Sequence, residues 1–251
     1  MRNLFHCFVL RRWGPAWALL ASGACSLHSQ AGRPISTDDA AILAPGECQM
    51  ESWWQQSAGL RQQVLQPSCN FGGRFEWGGS VTGTQGSQST AAGLGALQLK
   101  WVPHEAEVDG WAGGLTASTS QPLHARRTGD ASSESGPAAN ASTQTLTALL
   151  TLAPSSHWLL HANVGVSHRA GRSKGIWAAA AEYTISDRCG VHVEAFGEHQ
   201  GRTTLQLGAR YWLVADRVQI DTSLGRQPRS DGTAGGERVA TLGLVWVWSG
   251  Q

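Results

Sequence analysis

Lysine is almost missing from this chain of 251 residues, which holds only Lys100 and Lys174. No basic stripe of the kind that grips nucleic acid is present, so a nucleic-acid partner is not expected. No segment has 18 uninterrupted apolar residues, which excludes a membrane-spanning helix. Helix signals are poor throughout, with hardly a capping box ahead of a 3.6-period apolar run. C-x-x-C and H-x-x-H clusters are missing, which argues against zinc. So are G-x-S-x-G, a phosphate loop and H-E-x-x-H, since His104-Glu105 lacks the second histidine. The nearest approach to a nucleophile beside a base is His161 with Ser167 or Asn163, a generic arrangement. No catalytic residue, metal ligand or cofactor is therefore expected, and the chain is not read as an enzyme.

What is present begins with a leader. Arg2, Arg11 and Arg12 precede an apolar run from Trp13 to Ala24, and small residues follow at Ser29-Gln30-Ala31. Charged start, apolar stretch and small-residue site form the pattern of a secretory signal peptide over residues 1–31. The run is too short for the roughly 20 residues of a spanning helix. A lipoprotein signal, with Cys25 lipidated, is the rival. Removing 1–31 lowers Lys+Arg from 19 to 16 and leaves Asp+Glu at 18, so the remainder is weakly acidic. Of five cysteines, Cys48, Cys69 and Cys189 then remain. An oxidising periplasm permits a disulfide. Cys48 and Cys69 are the natural pair, close in sequence and on candidate neighbouring strands, with two buried thiols as the alternative. Cys189 is left as a free thiol at a strand start.

From Glu47 onward the chain alternates with period two between clusters of Gly, Ser, Pro and Asp. In 203–213, Leu205, Leu207, Ala209, Tyr211 and Leu213 share one face, with Gln206, Gly208 and Arg210 on the other. In 238–248, Ala240, Leu242, Leu244, Trp246 and Trp248 share a face. In 157–167, Trp158, Leu160, Ala162, Val164 and Val166 oppose His161, Asn163, Gly165 and Ser167. Three features favour a membrane barrel over a soluble periplasmic sandwich that binds a ligand. The polar faces carry charges and amides, while the opposite faces stay apolar to the strand ends, as a wet lumen inside lipid requires. Trp53, Trp54, Trp101, Trp111, Trp158, Trp212, Trp246 and Trp248 lie near strand ends, where aromatic girdles belong. Connections alternate in length: tight at Pro154–Ser156, Ser186–Arg188 and Ala215-Asp216, longer at 122–140, Arg169–Ser173 and 226–236. Twelve strands result, roughly 47–57, 62–69, 74–84, 90–102, 108–120, 141–153, 157–168, 174–185, 189–198, 202–213, 217–225 and 237–248. The expectation is an all-β, closed antiparallel transmembrane barrel over 47–251, preceded by a periplasmic extended segment, 32–46.

Several stretches also resemble a known group. They are Arg33-Pro34-Ile35-Ser36-Thr37-Asp38-Asp39-Ala40, Pro45-Gly46, Cys48–Trp53, Leu65–Asn70, Ala195-Phe196-Gly197-Glu198, and Tyr211 through Asp221. Together they are similar to uncharacterised proteobacterial outer-membrane barrels related to the meta-pathway phenol-degradation proteins. That resemblance implies an outer-membrane barrel of a Gram-negative bacterium and a passive channel or binding site for small hydrophobic or aromatic molecules. Its partners would be outer-membrane lipid and the barrel-assembly machinery. This chain departs from the group in the Ser249-Gly250-Gln251 tail after Trp248.

Alternation places Glu51, Arg74, Glu76, Lys100, His161, Glu182, His192, Glu194, Arg210, Gln219 and Asp221 on the lumen face. They line either a polar pore or a salt-bridged plug that stabilises a non-conducting barrel; twelve strands lie between the filled and open regimes. Asp38 and Asp39, ahead of the first strand, are read either as a solvated or turn-forming pair, or as a cap on a periplasmic opening or partners of a lumen arginine. His192, Glu194, Glu198 and His199 cluster on one strand and its loop, where a hydrogen-bonded lumen is favoured over a metal site.

Overall fold

The computed structural model describes residues 36–57, 59–86, 92–125, 141–201, 203–228 and 236–249. The signal peptide expected over 1–31, with Cys25, and residues 32–35 lie outside the described residues. Twelve strands follow: β1 (Glu47–Ser57), β2 (Leu60–Cys69), β3 (Phe75–Gly86), β4 (Ala92–His104), β5 (Gly110–Ala125), β6 (Thr143–Ser155), β7 (Trp158–Arg169), β8 (Arg172–Ser186), β9 (Cys189–Glu198), β10 (Thr204–Val214), β11 (Val218–Pro228) and β12 (Gly236–Ser249). Each pairs antiparallel with its successor, and β12 returns to β1 from Glu47↔Ser249 to Ser57↔Val239. The result is the closed all-β barrel that the alternation predicts. Closure leaves no strand edge whose N–H and C=O groups would stand unpaired in hydrocarbon.

Inside and outside are inverted relative to a water-soluble protein. Among the described residues, 22 buried side chains are polar or charged and 11 are apolar. Outward-facing leucines stay bare: Leu97, Leu207 and Leu224 are 68, 63 and 68 % exposed. A belt of this size has no stable contact with water, and its counterpart is acyl chain.

Outward-facing aromatic side chains form a girdle at one end of the barrel, while Trp54 and Trp177 face outward away from it. Phe75, Trp101, Trp111, Trp158, Tyr183, Tyr211 and Trp246 all face outward at the end that carries the β2–β3, β4–β5, β6–β7, β8–β9 and β10–β11 turns. Neighbours pair across strands, with ring centroids 6.4 Å apart for Phe75 and Trp101 and 4.9 Å for Trp158 and Tyr183. Trp53 and Trp212 do not belong to it. Trp53 shares parity with buried Glu51 and sits opposite buried Val64, while Trp212 sits opposite buried Gln219; both face the lumen. Sequence position near a strand end does not fix the face; parity does.

Two further expectations change. The strands run past the apolar belt, and Arg169 pairs directly with Arg172. The longer loop expected at 169–173 is thus a two-residue turn, Ala170 (φ 50°) and Gly171 (φ 77°), the left-handed pair that suits a tight hairpin. Hydropathy marks only the lipid-crossing part of a strand, whereas backbone pairing continues into water. Arg74, expected on the lumen face, precedes β3 and is exposed in the turn. Its carbonyl accepts from the Val102 amide at 3.0 Å, but its side chain is outside the alternating segment. At Pro122, which has no N–H to give the ladder, the β4–β5 register slips between Gly93 and Leu94.

Cys48 and Cys69 face each other in the β1–β2 register and form the expected disulfide, while Cys189 is free. A cross-link over a separation of 21 residues removes denatured-chain entropy of about 3 kcal/mol. The intact barrel is expected to migrate faster on an SDS gel unheated than boiled. Replacing both cysteines by alanine should lower the temperature at which the slow band appears; an unchanged temperature would show the cross-link to be energetically silent.

Candidate functional site

The segment expected ahead of the barrel lies inside it. From Ser36 to Gly46 the chain runs through the lumen toward the girdle end, where Gly46 (φ 84°) turns it into β1. An extended segment with no strand beside it brings backbone donors that need partners. Inward-pointing side chains supply them. Glu194 of β9 accepts from the Ser36 amide at 2.8 Å, the Thr37 amide at 3.0 Å and the Thr37 hydroxyl at 3.1 Å. Asn163 of β7 accepts from the Asp38 amide at 2.7 Å and donates to the Asp38 carbonyl at 2.8 Å, as a neighbouring strand would. Thr151 of β6 accepts from the Ala40 amide at 2.8 Å, and Glu76 of β3 from the Leu43 amide at 3.0 Å.

Charge fixes the centre of this plug. Lys100 Nζ lies 2.8 Å from Asp38 Oδ1 and 2.8 Å from Asp39 Oδ1, and Thr116 donates to Asp38 Oδ2 at 3.1 Å. The Lys100 side chain is 7 % exposed, so a single cation is shared by two carboxylates away from bulk water. Asp38 and Asp39 thus pair with a lumen cation, Lys100, rather than lying in a solvated turn. At the girdle end Leu43 packs on Val245 and Val247, and Ala40 on Ala112 and Leu149. Asn70 seals the entry: its amide donates to the Leu43 carbonyl at 2.7 Å, and its carbonyl accepts from Gly46 at 2.7 Å.

A second polar network continues from the plug. Thr151 bonds His161 Nδ1 at 2.9 Å, His161 Nε2 lies 3.3 Å from Glu182, and Glu182 pairs with Arg210. Gln206, Ser223 and Thr241 form a third group, with Ser223 Oγ 2.6 Å from Gln206 and 2.7 Å from Thr241. His192 stands against Gly208, where an added Cβ would overlap the imidazole ring.

Of the eleven residues expected in the lumen, Glu51, Glu76, Lys100, His161, Glu182, His192, Glu194, Gln219 and Asp221 are buried there, Arg210 is half-buried, and Arg74 is not among them. Glu76, Lys100 and Glu194 bond the plug directly. His192, Glu194, Glu198 and His199 do not converge: Glu194 holds the plug and Glu198 pairs with Lys174 at 2.7 Å near the loops. Among the described residues no three His, Cys, Asp or Glu side chains meet as a metal would need. His161 and Ser167 do not meet either; Ser167 accepts from Thr145 at 3.4 Å. Thr116 and Thr151 went unnoticed, although threonines at 143, 145, 147 and 151 mark the inward face of β6. Above the plug an open chamber of about 620 Å³ extends from Ser36 and Asp38 to Gly201 and Pro228.

Replacing Lys100 by methionine removes the cation that both plug carboxylates use, a loss of about 3–5 kcal/mol for a buried pair. Amide hydrogens at 36–43 should then exchange faster, while those of β4 and β5 keep their protection. Unchanged exchange at 36–43 would show that the ion pair does not seat the plug.

The barrel is similar in fold to several solved structures. The KdgM porin in complex with disordered oligogalacturonate aligns with TM-score 0.62 at 10 % identity, over 79 % of this chain and 98 % of that one. The COG4313 outer membrane channel from Pseudomonas putida F1 aligns with TM-score 0.62 at 12 % identity, over 85 % and 100 %. The NanC porin aligns with TM-score 0.55 at 9 % identity, over 79 % and 98 %. No curated protein matches the chain. A family profile, described as "Uncharacterised conserved protein UCP029691", matches residues 18–235, and the chain belongs to that family.

Proposed function

We propose that this protein is a passive outer-membrane channel whose lumen is occupied at rest by its own residues 36–46. The observation that carries the reading is the plug itself, an extended segment held in the lumen by side chains of six strands rather than by a sheet ladder. The neutral hydrogen bonds among these are each worth about 1 kcal/mol net, those to the carboxylates about 1.5–3 kcal/mol, and all are exchangeable with water. They suit a segment that leaves and returns better than one that is permanently built in. Outer-membrane placement rests on the bare apolar belt, the fold of the porins above, and the leader read over 1–31. In the membrane the belt is covered by lipid, and a chain of this kind reaches it through the barrel-assembly machinery. The resemblance to the meta-pathway phenol-degradation group makes small hydrophobic or aromatic molecules the first cargo to try.

The buried ion pairs favour a second reading, a structural barrel that never conducts. Liposome swelling separates the two. Vesicles holding the protein without residues 32–43 should swell in small solutes at least tenfold faster than vesicles holding the intact protein. If both preparations stay silent while remaining heat-modifiable, the structural barrel is the correct reading.

A further inference from the structure

The chamber above the plug has walls of three different kinds. On β4, β5 and β6 it presents Gln98, Ser118, Thr145 and Thr147, a surface of hydroxyls and an amide. Facing them on β8 and β9 are Ile176, Ala178 and Phe196, a hydrocarbon surface with one aromatic ring. Its floor is the Asp38 carboxylate, whose side chain is still 27 % exposed. Among its described lining residues there is no Lys, Arg or His.

Among the described residues the two cations inside the lumen are paired. Lys100 lies between Asp38 and Asp39, and Arg210 lies against Glu182. Glu76 and Glu194 beside the plug are taken up by its backbone donors and lie outside the chamber lining. At the mouth Lys174 is paired with Glu198. Among the described lining residues an anion therefore meets carboxylate and neutral dipoles, with no Lys, Arg or His side chain beside it. A cation meets the floor, and a neutral molecule meets hydrogen-bonding groups on one side and hydrocarbon on the other. Low-dielectric walls strengthen that sign preference, and carboxylate-lined pores favour cations in the same way.

We infer that this chamber binds small neutral or cationic molecules with one hydroxylated face and one C–H face, and rejects anions of the same size. This rests on the channel reading and replaces purely hydrophobic cargo with rings that also carry hydroxyls. The probes are glucose, glucosamine and glucuronate, one ring with three charges. Each has a hydroxyl edge for β4–β6 and a C–H face for Phe196.

Saturation-transfer NMR titrations on the full-length processed protein in detergent micelles, at low ionic strength and pH 7, measure binding without requiring conduction. Glucosamine should bind about tenfold more tightly than glucuronate, a difference of about 1.4 kcal/mol, with glucose between them and the preference shrinking in salt. Ser118→Lys, which adds a cation to the chamber wall, should weaken glucosamine and strengthen glucuronate. Equal or tighter binding of glucuronate by the unaltered protein overturns the inference, as does the absence of transfer to all three probes. Binding without swelling in the plug-deleted vesicles would retire the channel and leave the chamber's selectivity standing. Swelling that favours glucuronate would do the reverse.

Discussion

The rest of this structure depends on the pairing of β12 with β1. In hydrocarbon an unpaired amide has no water to turn to, so the sheet must close. Once it closes, every residue of every strand is committed by parity to lipid or to lumen, and a single register fixes all twelve faces. Glu51, Gln66, Val245 and Gln219 illustrate the consequence. They lie side by side across four neighbouring strands through Glu51↔Gln66, Glu51↔Val245 and Gln219↔Val245, all pointing inward. A shift by one residue in β12 would turn Trp246 and Leu244 into the lumen and Val245 and Val247 toward lipid. The whole apolar belt holds that register in place.

Closure also creates the interior's problem. Twelve strands enclose more space than their own side chains fill, yet less than an open porin. Here the chain fills part of it with residues 36–46, and the polar side chains facing inward are matched to that segment's backbone. Burying charge in this setting is tolerable only with a partner. Lys100 has two, and Arg210 has Glu182. Gly208 serves the same end by omission, since it leaves room for the His192 ring on the neighbouring strand.

Much of this was legible in the sequence, because parity is a local property. Alternation in 203–213 and 238–248 gave the belt, and the same rule placed Glu194, Lys100 and Glu76 inside without any contact being known. It failed where it was extended past a strand's start, as at Arg74. It also failed where residue type was trusted over parity, as with Trp53 and Trp212, which are aromatic and near strand ends but point inward. The plug was not legible as a plug. Residues 36–46 alternate with nothing, and their place depends on partners 111 to 158 residues away at Thr151, Asn163 and Glu194. No window of local sequence carries that information. Asp38 and Asp39 were conspicuous as a pair, but only the position of Lys100 distinguishes an exposed turn from a buried ion pair.

The plug's contacts are unevenly distributed along its length, and this sets how it can move. From Ser36 to Asp39 it is held by polar side chains, through groups that water can replace once the lumen wets, and Ala40, buried on Ala112 and Leu149, ends that stretch. From Leu43 to Gly46 the contacts are of another kind. Leu43 is buried on Val245 and Val247, Asn70 bonds both Leu43 and Gly46, and the adjacent Cys48–Cys69 disulfide locks β1 to β2. Apolar burial and a covalent cross-link are not lost to wetting. Displacement should therefore start at the Ser36 end, next to the chamber, and stop between Ala40 and Leu43, with the segment tethered at the girdle end throughout. The floor carboxylate of the chamber belongs to the mobile half. A cation drawn to Asp38 would compete with Lys100 for it, and whatever occupies the chamber acts on the ion pair that seats the plug.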